Sequence, residues 1–141
     1  MRVVLDTCIL KLATFQHPNN ASALIYELVR HGEIEAGASP AMFEEYAEVL
    51  GDHPDFIAEI FGLCRASFPL TELHVILHEP DNRFLECAFA SGADFIITVN
   101  TAPGHFDRKK YQDVRVVTPG EFLKVPEVGR LVSKLAREQR S

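Results

Sequence analysis

The chain opens on a short apolar run that ends at an acid. The run Arg2-Val3-Val4-Leu5 has no alternation of polar residues, which is typical of a strand buried on both faces of a parallel sheet. Asp6 follows directly, and ligands in open α/β sheets bind beyond the carboxyl ends of the strands. Asp6 therefore has two interpretations: the first carboxylate of a metal site, or an acid that only caps the following turn.

Strands and helices alternate along the rest of the chain. Further strands are predicted over residues 34–38, 73–77, 95–99 and 114–117. A turn is predicted at His17–Asn20, and helices are predicted over residues 21–31, 40–50, 54–64, 81–91, 118–123 and from 126 onward. This alternation with short connections predicts an α/β fold, namely a three-layer α/β/α domain with a central, mostly parallel sheet of about five strands. We expect one domain, with residues 1–125 as its body and residues 126–141 as a C-terminal helix and tail.

The charge restricts the classes of function. The 141 residues carry a net charge of −6, which argues against a protein that holds nucleic acid mainly by bulk positive charge. A nuclease is still compatible, since it needs a local acidic site for metal and only a few basic residues nearby. Arg108-Lys109-Lys110 is the one compact basic group in the middle of the chain, and either a solvated loop or a substrate contact fits it.

Targeting and cysteine usage indicate a cytoplasmic protein. No apolar run approaches the roughly 20 residues that span a bilayer, and residues 1–20 lack the features of a signal peptide. Cys8, Cys64 and Cys87 are odd in number and have no CxxC spacing, so neither a disulfide framework nor a zinc knuckle is indicated. We expect three buried free thiols.

Three polar residues are predicted to meet at one edge of the sheet. Asp6 ends the first strand, Asp81 opens a helix after a strand, and Asn100 ends another strand. Carboxylates that lie close together raise one another's pKa, and a hard divalent cation removes that cost. Mg²⁺ or Mn²⁺ suits such an oxygen-only site.

Five blocks of the chain resemble, in order, the successive motifs of PIN-domain proteins. The likeness runs from residue 1 to about residue 123 and is strongest to the toxin components of toxin-antitoxin systems that are similar to VapC ribonucleases. The blocks are Val3–Thr7, Ser39–Leu50, Pro80–Ala88, Gly92–Thr98 and Val116–Leu123.

The resemblance implies a PIN-like nuclease domain in residues 1–125 that hydrolyses RNA phosphodiester bonds with Mg²⁺ or Mn²⁺. By position, it implies four catalytic residues: Asp6, Glu45, Asp81 and Asn100. Asp6, Asp81 and Glu45 would hold the metal. Helical spacing alone does not choose between Glu44 and Glu45; the likeness to the family's Glu-Tyr pair does. Thr98 would hydrogen-bond at the site, or it is an ordinary strand threonine.

Two departures from the family pattern keep a second function open. Cys8 stands where the family usually has Asn, and Asn100 stands where many members have Asp. The alternative is a catalytically weak or inactive PIN-like module that binds RNA or a partner protein. A phosphatase of the haloacid dehalogenase type is disfavoured, because Cys8 occupies the place of its second acid.

The resemblance also implies a cognate antitoxin as protein partner and self-association as a homodimer. The C-terminal helix carries an apolar face that either makes such a contact or packs on the chain's own core: Val128, Leu131, Val132 and Leu135.

Three histidines receive no role at the site. His105 is interpreted as a loop residue rather than a phosphate contact, and His74 with His78 does not form a zinc pair on a predicted strand.

Overall fold

The computed structural model describes residues 1–15 and 20–140, and in these it contains six strands and seven helices. The predicted turn at His17–Asn20 lies, apart from Asn20, outside the described residues. The strands are β1 (Arg2–Leu5), β2 (Glu35–Ala38), β3 (Arg65–Ala66), β4 (Phe95–Ile97), β5 (Lys110–Tyr111) and β6 (Val114–Val117). The helices are α1 (Thr7–Ala13), α2 (Ala21–Arg30), α3 (Pro40–Val49), α4 (Pro54–Leu63), α5 (Asp81–Ser91), α6 (Pro119–Leu123) and α7 (Pro126–Arg140).

The strands form one mostly parallel sheet in the order β3-β2-β1-β4-β6-β5. Only β5 runs antiparallel to its neighbour, β6. The apolar residues of β1 and β4 pair in register, with Val3 opposite Phe95 and Leu5 opposite Ile97. The predicted α/β/α fold with a mostly parallel sheet is confirmed, and the sheet has one strand more than the five expected.

The strand order places a crevice at the carboxyl ends of β1 and β4. From β1 the chain adds β2 and β3 on one side, and then returns to place β4 on the other side of β1. In parallel sheets such a switch point opens a crevice for ligands. Asp6 and Thr98 are the first residues after these two strands. The backbone N–H of Asp6 donates to the carbonyl of Ile97, and that of Thr98 donates to the carbonyl of Val117, over 3.0 Å each. Both residues are therefore held by extensions of the sheet.

Helix boundaries follow from local capping chemistry. The Ser39 hydroxyl accepts a backbone hydrogen bond at the start of α3, and Pro40 is the first helical residue, as predicted. Thr118 and Glu121 cap α6 reciprocally. Gly92 ends α5 with a φ of 67°, a left-handed conformation that glycine adopts without steric cost.

The predicted strand over residues 73–77 is wrong, because a buried side chain forms hydrogen bonds with the backbone groups of this segment. Asn82 is fully buried, and its Oδ1 accepts hydrogen bonds from the N–H groups of Val75 and Ile76 over 3.0 Å each. Its Nδ2 donates to the carbonyl of Ile76 over 2.9 Å. These backbone groups are the ones that a sheet would have paired, so the segment is an irregular loop that leads into α5.

The structure also contains short elements that the sequence pattern did not indicate. Strands β3 and β5 have two residues each, too few for a periodicity, and α1 follows Asp6 directly.

Of the three cysteines, all of them free, only Cys87 is fully buried. No helix in the described part of the chain is both long and apolar enough to cross a membrane.

The apolar face of α7 packs on the chain's own core. Val128 and Leu135 are buried, and Leu131 and Val132 are partly buried against the same core. Of the two roles that the sequence left open for this face, the structure supports internal packing. The division of the chain at residue 125 stays a prediction.

Candidate active site

Asp6 lies at the carboxyl end of β1 and is 4 % exposed. It occupies the N-cap position of α1, but its side chain accepts no capping hydrogen bond, so the capping interpretation does not account for it. Its Oδ2 instead accepts from the Thr98 hydroxyl over 2.6 Å and from Nδ2 of Asn100 over 3.1 Å. Both donors reach the same oxygen. The other oxygen, Oδ1, accepts from neither.

Thr98 joins the two residues that flank it in space. It is fully buried, and its Oγ1 accepts the backbone N–H of Asn100 over 2.9 Å while donating to Asp6. Three of the five residues that the resemblance implies for the site are therefore linked by direct hydrogen bonds. A threonine that is only part of a strand would not need such partners.

Glu45 reaches the same region from α3. Its Oε2 accepts a hydrogen bond from the hydroxyl of Thr7, the residue after Asp6. The next residue of α3, Tyr46, is buried and donates its hydroxyl proton to the carbonyl of Leu5. This contact fixes α3 against the end of β1, where Glu45 is half-buried and Glu44 is exposed.

Asp81 is the first residue of α5 and is 3 % exposed. Its Oδ2 lies 3.0 Å from Nδ1 of His105. Burial raises the pKa of Asp81 above its ordinary value; the hydrogen bond from His105 opposes this, and the negative charge of Asp6 adds to it. Asp6 and Asp81 are therefore close enough for their charges to repel.

Cys8 borders this cluster as a neutral thiol. Its Sγ lies 4.0 Å from Oγ1 of Thr98. Burial, followed by the charge of Asp6, raises the pKa of Cys8 to about 11. The residue is thus protonated at neutral pH, and it offers neither a thiolate ligand nor the amide that the family resemblance implies at this position.

Two histidines lie beside Asp81, and the sequence gave no indication of this. His105 contacts the Asp81 carboxylate, and the ring of His78 lies 4.4 Å from that of His105, centroid to centroid. His74 instead contacts Glu79 over 3.1 Å. The histidines belong to two loops far apart in the chain, so no local spacing could have indicated their proximity.

The donor set suits a hard divalent cation. Asp6, Asp81 and Glu45 contribute carboxylates, and in residues 1–15 and 20–140 no lysine or arginine forms an ion pair with any of them. His105 is the basic side chain beside Asp81, and like charges that no lysine or arginine neutralises are costly in a buried site. An ion such as Mg²⁺ or Mn²⁺ would balance them and prefers oxygen ligands.

The fold and this acidic centre define an α/β domain with a candidate cation site at its topological switch point. A sequence model of the PIN domain matches residues 2–102, well over half of the chain. The chain therefore belongs to the PIN domain family, which has a nuclease-type fold. The match contains all four residues of the expected site, whereas His105 lies beyond it.

Membership of this family carries general expectations about chemistry. PIN domains are generally nucleases, they typically use divalent metals, and they often pair with antitoxins. Neither the curated proteins nor the solved structures gave a match to this chain.

Proposed function

We propose that this PIN domain is a metal-dependent endoribonuclease that hydrolyses RNA phosphodiester bonds. The observation that carries the proposal is that Asp6 and Asp81 are both buried and close enough for the charge of Asp6 to raise the pKa of Asp81. Glu45 contacts Thr7, the residue after Asp6, and among the described residues no lysine or arginine pairs with any of these acids. A charge cluster of this kind is costly to a protein that does not use it. A nuclease uses it to bind a cation.

Asp6, Asp81 and Glu45 would hold Mg²⁺ or Mn²⁺. Such an ion, when bound, supplies a water of lowered pKa and stabilises negative charge on the phosphate. The residues around the three acids orient them: Thr98 and Asn100 hold Asp6, Thr7 holds Glu45, and His105 holds Asp81. No nucleophilic side chain is required, which agrees with the protonated state of Cys8.

We further propose that the protein acts in the cytoplasm as the toxin of a toxin-antitoxin pair, with a cognate antitoxin as partner. The resemblance to VapC-like proteins supports this role. Exposed apolar side chains before α5 and after β4 also suit a protein partner: Val75, Leu77 and Val99. Self-association is proposed as well, but the face of α7 does not support it, because the core covers that face.

A second candidate function is a weak or inactive PIN module that binds RNA or a partner protein. Two observations favour it. Asn100 brings no charge and donates a hydrogen bond to Asp6, and Cys8 is a neutral thiol beside Thr98. Asn100 therefore brings no charge for a second metal ion, and the Cys8 thiol binds oxygen ligands more poorly than the amide that the resemblance implies at this position.

The deciding experiment is cleavage of a panel of structured and single-stranded RNAs with added Mg²⁺ or Mn²⁺. Wild type is compared with Asp6→Asn and Asp81→Asn, which keep the side-chain shape but remove a metal-binding charge. Asp52→Asn, in an exposed turn, is the matched control. We expect metal-dependent cutting by wild type and the control, and a loss of at least about 100-fold in both site variants.

Two outcomes would contradict the nuclease. One is the absence of cleavage by wild type with either metal. The other is equal cleavage by all four proteins, which would indicate a contaminating enzyme. In either case, a rise in melting temperature with Mn²⁺ that is lost in Asp6→Asn would support the binding module, since a ligand that binds only the native state stabilises it.

A further inference from the structure

A second set of metal donors lies beside the acidic centre and shares one residue with it. One ligand atom each from His78, Asp81 and His105 lies within 4.8 Å of the others. Nδ1 of His105 and Oδ2 of Asp81 are 3.0 Å apart. Imidazole nitrogens combined with a carboxylate favour transition metals over Mg²⁺. The chemistry of this set therefore differs from that of the three acids.

Backbone hydrogen bonds hold the three donors in place before any ion binds. The N–H of His78 donates to the carbonyl of Gly104 over 2.6 Å, which joins the two loops that carry the histidines. The N–H of Asp81 donates to the carbonyl of His78 over 3.0 Å. The imidazole rings of His78 and His105 lie 4.4 Å apart, centroid to centroid, with an angle of 41° between their planes. The backbone that carries His78 and Asp81 is therefore ordered before an ion binds.

The distances fit a tetrahedral ion after a small adjustment. Zinc bonds to histidine nitrogen and carboxylate oxygen measure about 2.0–2.2 Å, which places tetrahedral ligand atoms about 3.3–3.6 Å from one another. The 3.0 Å between Nδ1 of His105 and Oδ2 of Asp81 is slightly shorter than that range, and every separation within the set is at most 4.8 Å. His78 is exposed and His105 is partly exposed, so an ion bound there would keep a coordination position open to solvent.

We propose that His78, Asp81 and His105 form a site for a transition-metal ion of the zinc class. The acidic centre and this site share Asp81, so an ion held by the histidines withdraws Asp81 from Mg²⁺ and slows RNA cleavage; this second part rests on the proposed nuclease function. His105 lies outside the part of the chain that matches the PIN domain, residues 2–102. The family match therefore does not include the whole donor set.

A neighbouring group of similar composition serves as the contrast. Glu72, His74 and Glu79 also approach one another, but all three are exposed. Arg83 already forms ion pairs with both glutamates, at 3.4 Å and 2.8 Å. Arg83 thus offsets part of the charge that would attract a cation there, and His74 becomes the matched control histidine.

Co²⁺ is the direct probe, because its visible absorption reports a tetrahedral site in the protein without any activity. Titrations with Co²⁺, and calorimetric titrations with Zn²⁺, compare wild type with His78→Gln, His105→Gln and the control His74→Gln. We expect saturable one-to-one binding by wild type and His74→Gln, and at least about a 10-fold loss of affinity in the other two. Circular dichroism without metal confirms that each variant is folded.

Three results would overturn the site. They are unchanged binding in both His78→Gln and His105→Gln, a loss of binding in His74→Gln, and a thiolate-to-cobalt charge-transfer band, which would place the ion at Cys8. The proposed effect of the bound ion on activity is measured separately, as inhibition of Mg²⁺-dependent RNA cleavage by Zn²⁺. We expect the inhibition constant for Zn²⁺ to rise at least about 10-fold in His78→Gln.

The two proposals fail independently. An absence of RNA cleavage by wild type contradicts the nuclease, while Co²⁺ binding still decides the histidine site. Cleavage that Zn²⁺ leaves unchanged in a protein that binds Co²⁺ at the histidines contradicts the sharing of Asp81.

Discussion

The side-chain amide of Asn100 donates a hydrogen bond to Oδ2 of Asp6 over 3.1 Å, across 94 positions of the chain. The same oxygen accepts from Thr98. An aspartate at position 100, which the family resemblance implies for many members, could donate no such bond and would add a fourth acid to Asp6, Asp81 and Glu45. Asn100 therefore stabilises the metal-free protein at the expense of charge for the cation.

The variant Asn100→Asp is expected to reverse this balance. Without metal, the lost donor and the added repulsion lower the free energy of unfolding by about 1–3 kcal/mol. With Mg²⁺, the rise in melting temperature becomes larger than in wild type, because the extra carboxylate binds the ion. Thermal unfolding with and without Mg²⁺ measures both effects. Thr101→Asp adds the same charge one residue later, and an equal response in that control would contradict the argument.

The raised pKa of Asp81 predicts how stability depends on pH. The folded state holds this proton more tightly than the unfolded chain, so the contribution to stability is complete below the ordinary pKa of 3.8 and is lost as pH rises through the raised pKa. At neutral pH the ionised carboxylate therefore destabilises the metal-free fold. Asp81→Asn removes that charge and keeps an acceptor for His105.

We expect Asp81→Asn to be more stable than wild type at pH 7 and the difference to shrink as the pH falls toward 4. Urea unfolding of metal-free protein across this range measures the difference. Asp52→Asn, at an exposed position, is expected to show no such trend. A site variant that is less stable than wild type at pH 7 would mean that the hydrogen bond with His105 outweighs burial.

The thiol of Cys8 predicts a gain of activity, provided that the protein is a nuclease. Its pKa of about 11 keeps it protonated, so it orients polar neighbours poorly. Cys8→Asn supplies an amide beside Thr98, and we expect Mg²⁺-dependent RNA cleavage to rise by about 10-fold. Cys64→Ser is the control, because Cys64 belongs to the C-terminal end of α4. A rate that is unchanged or lower in Cys8→Asn would show that this position does not limit the site.

The buried amide of Asn82 predicts a local loss of order when it is removed. In Asn82→Ala the backbone groups of Val75 and Ile76 lose their partners, and we expect unfolding to become easier by at least about 2 kcal/mol. Amide hydrogen exchange should quicken over residues 73–79 before it does so in β1. Gln139→Ala, which removes an exposed amide from α7, is the control. Unchanged exchange in the loop would contradict the role given to Asn82.

Much of the fold was predictable because its determinants are local. The apolar run of β1, the cap formed by Ser39 and Pro40, and the glycine that ends α5 act within a few residues of their own positions. Fold class, most helices and the edge of the sheet that carries Asp6 followed from such patterns. The prediction of a strand over residues 73–77 failed because Asn82, which lies outside that segment, accepts hydrogen bonds from the segment's backbone.

The arrangement around the acids was decided by the tertiary structure. The sequence by itself determined that Asp6, Asp81 and Asn100 follow or precede regular elements, and the family resemblance chose Glu45 over Glu44. Only the folded chain places Thr7 against Glu45 and brings His105 to Asp81. Such contacts join loops that are distant in the chain, and they depend on how the helices and strands pack. Contacts between distant segments produce no periodic pattern in the sequence, whereas burial of a strand or of one helix face produces such a pattern.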